Sequence, residues 1–374
     1  MSVELLCTVC GESYRGVELM TCPACGPWGI LEVVCPLERP VGEPGDGMRR
    51  WLPLLPVDPG MAMPELVVGD TPLVEAPRLA RHLEYSRFRI KDEGRNPSGS
   101  LKDRPSWVGA VLAQGRTVAC ASTGNAASSL AVMCASMGTP AVIFVPDRAP
   151  EPKLAQLTVF GARVFRVLGS YDATYDLCTA VSERMGWYSR SAAVNPYLVE
   201  GKKTCGLELG EVEPADWVSV SVGDGCTIAG IWKGLKEMYS LGILDRLPRL
   251  LGVQAEKAPA VYQEWAGGNL SATPRAPAAA IAETLADSIS VGVPRNWRRA
   301  VRAVQESGGE MILVSESEID EAMRMTARLG GVYAEPAGAT AIAGLARARL
   351  GGSVIAVASG SGLKDVDGAT RAGG

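Results

Sequence analysis

The sequence predicts an α/β protein with two three-layer αβα domains on mostly parallel sheets, preceded by a small cysteine-rich module. Three observations carry this. The chain has 374 residues, which at about 100–200 residues per domain fits two domains and a third small module. Short apolar runs alternate with helical stretches from Leu83 onward, the rhythm of parallel strands covered on both faces. And four of the ten cysteines crowd into the first 25 residues. Hydrophobic residues make up 47% and charged residues 21%, an ordinary globular mixture, and a net charge of −4 gives no electrostatic reason to bind nucleic acid or an anionic membrane.

Taken in order, the first element is Cys7-Thr-Val-Cys10, then eleven residues, then Cys22-Pro-Ala-Cys25. Gly11 and Gly26 follow the two pairs and let the backbone turn tightly. Two such knuckles place four thiolates around one tetrahedral ion, the pattern of a zinc ribbon. With no open coordination position, this is a structural Zn2+ site rather than a catalyst. The remaining cysteines show no paired spacing. Cys35, Cys120, Cys134, Cys178 and Cys205 read as small core residues. The N-terminus lacks a basic segment followed by a long apolar one, and no run of about 20 apolar residues occurs, so a soluble cytoplasmic protein is expected.

Residues 36–70 are rich in Pro and Gly and read as a linker or wrapping arm without periodicity. Further on, Arg116–Ala121 reads as a buried strand, Ala126–Met137 as a helix stopped by Thr139-Pro140, and Ala141–Val145 as the next strand. A helix near 152–160, a strand over 162–168 and a helix near 172–185 continue the alternation. Trp217–Val222 is a strand and 228–239 a helix. Ser315-Glu-Ser-Glu318 makes a capping box for a helix reaching about Leu329, and Ser353–Ala358 is the last strand.

In such sheets ligands sit beyond the carboxyl ends of the strands. Three loops there are unusual. Asn96-Pro-Ser-Gly-Ser-Leu-Lys102-Asp-Arg-Pro105 puts a lysine at the mouth of a helix, where the dipole and desolvation favour a neutral amine able to form a Schiff base. Alone, a surface lysine beside Asp103 is the simpler reading. Ser122-Thr123-Gly124-Asn125 offers hydroxyls and amides at a helix N-terminus, suited to a carboxylate or phosphate, or to plain capping. Gly223-Asp224-Gly225-Cys226-Thr227 lets backbone N–H groups converge on an anion. It is no dinucleotide fingerprint, since the spacing is wrong.

Together, NPSGSLKDR, STGN, the glycine loop and Ser359-Gly-Ser-Gly-Leu-Lys-Asp365 resemble the threonine synthase family, enzymes dependent on pyridoxal 5'-phosphate (PLP) and of the tryptophan-synthase β fold type (fold type II). The likeness covers nearly the whole chain. It includes the cysteine ribbon, Gly69-Asp-Thr-Pro-Leu73, Asn195-Pro, Glu200-Gly201-Lys-Lys-Thr204 and Ile231-Trp-Lys-Gly234. The resemblance implies a zinc-ribbon module and arm over 1–40, a large PLP-binding domain over 41–105 and 195–374, and a small domain over 106–194. It also implies that Lys102 is the Schiff-base lysine and later the α-proton base. Asn125 would bond the cofactor ring hydroxyl. Ser122, Thr123 and Gly124 would cradle the substrate carboxylate. Gly223, Asp224, Gly225, Cys226 and Thr227 would hold the cofactor phosphate, and Ser359 would meet the pyridine nitrogen. A neutral hydroxyl there favours elimination and replacement over transamination. Members of the fold type are commonly homodimers.

The sequence departs from the family at one place. Its usual N-S-x-N-P-x-R, whose Asn, Ser and Arg bind the phosphate of O-phosphohomoserine, reads here Ala192-Ala193-Val194-Asn195-Pro196-Tyr197-Leu198. Losing a bidentate Arg from a phosphate site costs several kcal/mol, and an Asp at 224 repels phosphate unless its side chain is engaged elsewhere. The expected function is a PLP-dependent lyase or synthase that eliminates or replaces a β- or γ-leaving group of an amino acid, with O-phosphohomoserine either not used or held differently. Arg190, Lys202 or Lys203 are the candidate substitute charges. A phosphoserine-type replacement enzyme such as cysteate synthase and a serine/threonine dehydratase are the alternatives. A zinc-ribbon binding protein is the alternative of another class, weakened because Arg15 is the sole basic residue before Arg39. The single histidine, His82, receives no role.

Overall fold

A computed structural model of the chain describes residues 3–268, 270, 273–277 and 283–364. The cysteine module is a three-stranded antiparallel sheet, β1 (Glu4–Cys7), β2 (Ser13–Arg15) and β3 (Leu31–Val34), in the order β2-β1-β3. Gly11 and Gly26, each just after a cysteine pair, have φ of 77° and 65°, a left-handed turn that glycine adopts without strain.

The segment read as a linker or wrapping arm packs as an arm: its start is largely exposed and its second part enters the core. A 3-10 helix over Gly47–Leu54 inserts Met48, Trp51 and Leu54 into the main core, and Leu55 and Val57 follow them. Pro53 and the tight helix hide the apolar pattern from a search for a 3.6-residue period, but the apolar side chains still need cover.

Next come β4 (Leu73–Glu75), α1 (Pro77–Leu83), β5 (Arg87–Asp92) and α2 (Asp103–Ala113). The middle of the chain gives β6 (Val118–Ala121), α3 (Asn125–Met137), β7 (Ala141–Pro146), α4 (Glu151–Val159), β8 (Arg163–Val167), α5 (Tyr171–Met185) and β9 (Tyr188–Ser189). After α6 (Tyr197–Leu209) follow β10 (Trp217–Ser221), α7 (Cys226–Ser240), β11 (Arg249–Ala255), α8 (Ala260–Ala266), α9 (Trp297–Glu306) and β12 (Glu310–Val314). Last are α10 (Glu316–Met325), α11 (Pro336–Ala348) and β13 (Ser353–Ala358). The expected elements lie within a few residues of these bounds, and the capping box forms, with Ser315 and Glu318 bonding reciprocally.

Two parallel sheets result. One has the order β12-β11-β10-β13-β5-β4, antiparallel at β4 only, and the other the order β8-β7-β6-β9. Apolar clusters pack on both faces of the first, one including Trp107, Trp232 and Trp297, the other Phe88, Leu251 and Ile342. Of the cysteines expected in the core, Cys120, Cys134, Cys178 and Cys205 are buried and Cys35 is half-buried. No helix among the described residues is long and apolar enough to cross a membrane.

Candidate active site

Four loops leave the carboxyl ends of β5, β6, β10 and β13, and they converge. Lys102 caps the N-terminus of α2, and two backbone contacts tie its loop to the β13 end: Leu101 N–H donates to the Ser359 carbonyl at 2.9 Å, and Ser100 bridges Gly360. Burial, and then the neighbouring Lys202 and Arg190, push the Lys102 amine down from 10.5 to about 7, against an opposite pull from Cys226 and Glu335. The lysine therefore loses its proton around neutral pH, far below a free lysine.

A buried ionic network anchors the helix that carries it. Arg104 contacts Glu93 at 2.7 Å and Glu208 at 2.6 Å, Lys91 reaches Glu208 at 2.6 Å, and the Thr71 hydroxyl donates to Glu93 at 2.6 Å. Asn96 joins it, donating to Glu93 and accepting from Gly69 N–H at 2.9 Å. The network thus explains why G-D-T-P-L and the loop of Lys102 occur in one chain.

At the β6 end, Gly124 caps α3, and its N–H donates to the Ser122 hydroxyl at 3.2 Å. Asn125 sits behind it with both ends of its side-chain amide engaged. Its Nδ2 donates to the Glu335 carboxylate at 2.9 and 2.8 Å and to Ser288 at 3.1 Å, while its Oδ1 accepts from Lys364 at 2.7 Å. A cleft opens here, lined by Thr123, Gly124, Asn125, Ser128, Glu335, Ala337 and Lys364 among others. Glu335 is buried, and Gly360 opposite it has no room for a side chain, since a Cβ would lie 2.5 Å from the carboxylate. Neither Glu335 nor Lys364 stood among the candidates read from the sequence. The one local signal for Glu335 is its place as N-cap before Pro336, which opens α11.

At the β10 end, Gly225 caps α7 with φ of 99° and no side-chain cap. Among the described residues no backbone carbonyl accepts from the amides of Asp224, Gly225, Cys226, Thr227 or Ile228, so the helix presents an open N–H cradle. The aspartate does not oppose this. Asp224 accepts from Arg295 N–H at 2.7 Å, from Asn296 Nδ2 at 2.9 Å and from the Cys226 thiol at 3.0 Å. The cradle and a lysine that loses its proton around neutral pH fit a phosphorylated aldehyde such as PLP.

The structure thus brings Lys102, Cys226, Glu335 and Asn125 into one group, with Ser359 beside Lys102. Thr227 is half-buried on α7, and Gly223 is packed against Ile289. Asp365 lies outside the described residues. The only histidine, His82, is exposed on α1.

The positions where the family carries phosphate ligands are occupied otherwise. The carbonyls of Ala192 and Ala193 accept from Asn296 Nδ2 at 3.4 and 2.9 Å, and the Ala192 carbonyl also accepts from Cys226 at 3.0 Å. Leu198 is fully buried against Gly109 of α2. Of the candidate substitute charges, Lys203 is consumed by Glu200 at 2.7 Å and Glu237 at 3.0 Å.

In the ribbon, the ligand atoms of Cys7, Cys10, Cys22 and Cys25 lie within 4.8 Å of one another. Cys10 and Cys22 Sγ are 3.8 Å apart, the separation of two thiolates about 2.3 Å from one tetrahedral zinc. The ribbon docks on α9, where Arg302 donates to the Thr8 carbonyl at 3.0 Å and Arg299 meets Glu32 at 3.4 Å.

Residues 64–360 match the model of the pyridoxal-phosphate-dependent enzyme family. The threonine synthase of Methanocaldococcus jannaschii is 34% identical, over 98% of this chain and 94% of that one. That of Mycobacterium tuberculosis is 35% identical, over 85% and 88%. Among solved structures, threonine deaminase isoform 2 of Solanum lycopersicum superposes with a TM-score of 0.68 at 23% identity, covering 81% of this chain and 83% of that one. Serine racemase of Dictyostelium discoideum gives 0.64 at 20%, over 78% and 92%. These two likenesses show the fold.

Proposed function

Because the chain belongs to the threonine synthase family of PLP-dependent enzymes, we propose that it is a carbon–oxygen lyase or synthase removing or replacing a β- or γ-leaving group of an amino acid. The observation that carries this is a lysine that loses its proton around neutral pH at the meeting point of the strand-end loops, facing a helix N-terminus with open amides.

Lys102 would hold PLP covalently, and its phosphate would lie on the amides of Gly223–Thr227. Asn125 would bond the ring hydroxyl by exchanging one of its present partners, Glu335, Ser288 or Lys364, and Ser359 would meet the ring nitrogen. When bound, PLP supplies an electron sink for the charge left at the substrate Cα. The chain's own residues do the rest. Ser122, Thr123 and Gly124 offer a hydroxyl pair and an amide to the substrate carboxylate. The Lys102 amine would serve as the base that accepts the α-proton, a transfer suited to a group titrating near 7. Glu335 fixes the Asn125 amide so that its Oδ1 faces Lys364. The serine at 359 cannot serve as a permanent anion, so it would leave the ring nitrogen of a bound cofactor unprotonated, which would favour elimination and replacement.

The substrate side of the proposal is that O-phosphohomoserine is not held as in the family, supported by Leu198 in the core and by Ala192 and Ala193 turned to Asn296. A structural zinc in the cysteine ribbon and a cytoplasmic homodimer complete it. Incubation with serine, threonine, O-phosphoserine and O-phosphohomoserine tests the reading. Release of a keto acid and ammonia, or a replacement product, from the first three supports it. Efficient threonine formation from O-phosphohomoserine overturns the substrate assignment, and no turnover of any β- or γ-substituted amino acid overturns the reaction class.

A further inference from the structure

Lys202 is 3% exposed and enters no ion pair among the described residues, unlike its neighbour Lys203. Burial pushes the Lys202 amine down, with Cys226 and Asp224 pulling the other way and Arg190 adding to the fall, so an anion arriving beside it would favour its charged form and gain a partner that no ion pair already holds. The two lysines are adjacent on α6, about 100° apart around the helix, and packing assigns them opposite surroundings. Lys203 points to Glu200, Glu237 and the Leu54 carbonyl. Lys202 has its Cβ over Gly230 of α7, where a glycine Cβ would be 3.1 Å away, and its ammonium faces Cys226, Arg190 and Asp224. Lys102 in turn faces Lys202 and Arg190.

Nearby carboxylates favour these cations from a distance but form no ion pair with Lys202 among the described residues. Asp224 is occupied by Arg295, Asn296 and Cys226, and Glu335 by Asn125. Arg190 is braced by the Ser106 hydroxyl at 2.9 Å and the Lys102 carbonyl at 3.2 Å, which fixes its guanidinium beside the Lys102 loop. Two features of independent origin therefore coincide, the open amides of α7 and a buried lysine that has no ion pair among the described residues and meets the Cys226 thiol on that helix.

Lys202 also lies four residues after Leu198, one turn along α6. The charge that the family resemblance places at 198 is absent, and a cation stands one turn deeper. We propose that Lys202, supported by Arg190, is the anion-binding residue of this site, taking a phosphoryl or carboxylate oxyanion that is either the cofactor's phosphate or an acidic group on the substrate side chain. This rests on the reading of the site as a PLP site, but the anion requirement is testable without PLP.

Binding of inorganic phosphate to the purified chain, with and without PLP, is measured by calorimetry for wild type, Lys202→Met and Lys202→Arg. In parallel, PLP and its unphosphorylated analogue pyridoxal are titrated by absorbance. If Lys202 serves a substrate anion, phosphate binds the PLP-loaded chain, Lys202→Met weakens it at least tenfold, and any change in PLP affinity is matched by pyridoxal, because both act through Lys102. If it serves the cofactor, phosphate binds only the PLP-free chain, and Lys202→Met weakens PLP at least tenfold more than it weakens pyridoxal. In both cases Lys202→Arg retains binding. Equal phosphate and PLP affinities in wild type and Lys202→Met overturn the proposal. A Lys202→Met chain that fails to fold is replaced by Lys202→Gln, judged by the same affinities. Phosphate binding in a chain that forms no Lys102 adduct would leave the anion site standing while refuting the PLP reading.

Discussion

Asn125 donates its side-chain amide to both oxygens of Glu335, at 2.9 and 2.8 Å, although 210 residues separate the two. Glu335 also faces Lys102, so one carboxylate orients the amide beside the cleft and sets the charge around the reactive lysine. The rate at which PLP reconstitutes the PLP-free chain should therefore rise through about pH 7, where Lys102 loses its proton, rather than near 10.5. Glu335→Gln removes a favourable neighbour of the ammonium and shifts that midpoint down. Lys202→Gln removes an unfavourable one and shifts it up. Stopped-flow absorbance across pH 5–10 reads both directions.

Arg104 has no exposure and answers two glutamates. Arg104→Met leaves Glu93 buried without a cation and Glu208 with Lys91 alone, and should cost about 3–5 kcal/mol in denaturant unfolding. Burial would raise the carboxyl of Glu208, but Arg104 and Lys91 overcome that and hold it at about 2, below its ordinary 4.5. A depressed carboxyl contributes stability that is complete above 4.5 and lost as pH falls from 4.5 toward 2. Acid titration of wild type should show this loss, and a Glu208→Gln chain should lack that component.

Gly225 has φ of 99°, and a Cβ there would lie 2.8 Å from the Asn296 carbonyl. Gly225→Ala must shift α7 or the start of α9, and PLP affinity should fall by about tenfold or more, with secondary structure by circular dichroism unchanged.

The ribbon is expected to hold one zinc per chain by elemental analysis, lost in Cys10→Ser. Its removal by a chelator should lower Tm. The consequence should reach the loop of Gly223–Thr227, because α9 bears Arg299 and Arg302 on the ribbon side and follows Asn296, which holds Asp224 at 2.9 Å. Weaker PLP binding after chelation is the expected result, and an unchanged PLP affinity would separate the two sites.

Much of this was readable in the residues. Continuous apolar runs marked β7 and β13, the Trp-Val-Ser-Val-Ser stretch marked β10, Ser315 and Glu318 marked the start of α10, and glycines marked the turns after the cysteine pairs. Loop chemistry at strand ends located Lys102, Asn125 and Cys226. What stayed hidden depends on long-range packing. Glu335 meets Asn125 only once two sheets are in place. Lys202 and Lys203 are the same residue type side by side, and the facing helices alone decide which is neutralised. The apolar side chains of 47–57 have no helical period to announce them, because a 3-10 helix containing Pro53 carries them.

The central claim is that Lys102 binds PLP covalently. The visible absorption of the purified chain with PLP tests it most directly. A band of lysine-bound PLP in wild type that disappears in Lys102→Ala is the predicted result. Absence of the band in wild type, or its persistence in Lys102→Ala, would contradict the account.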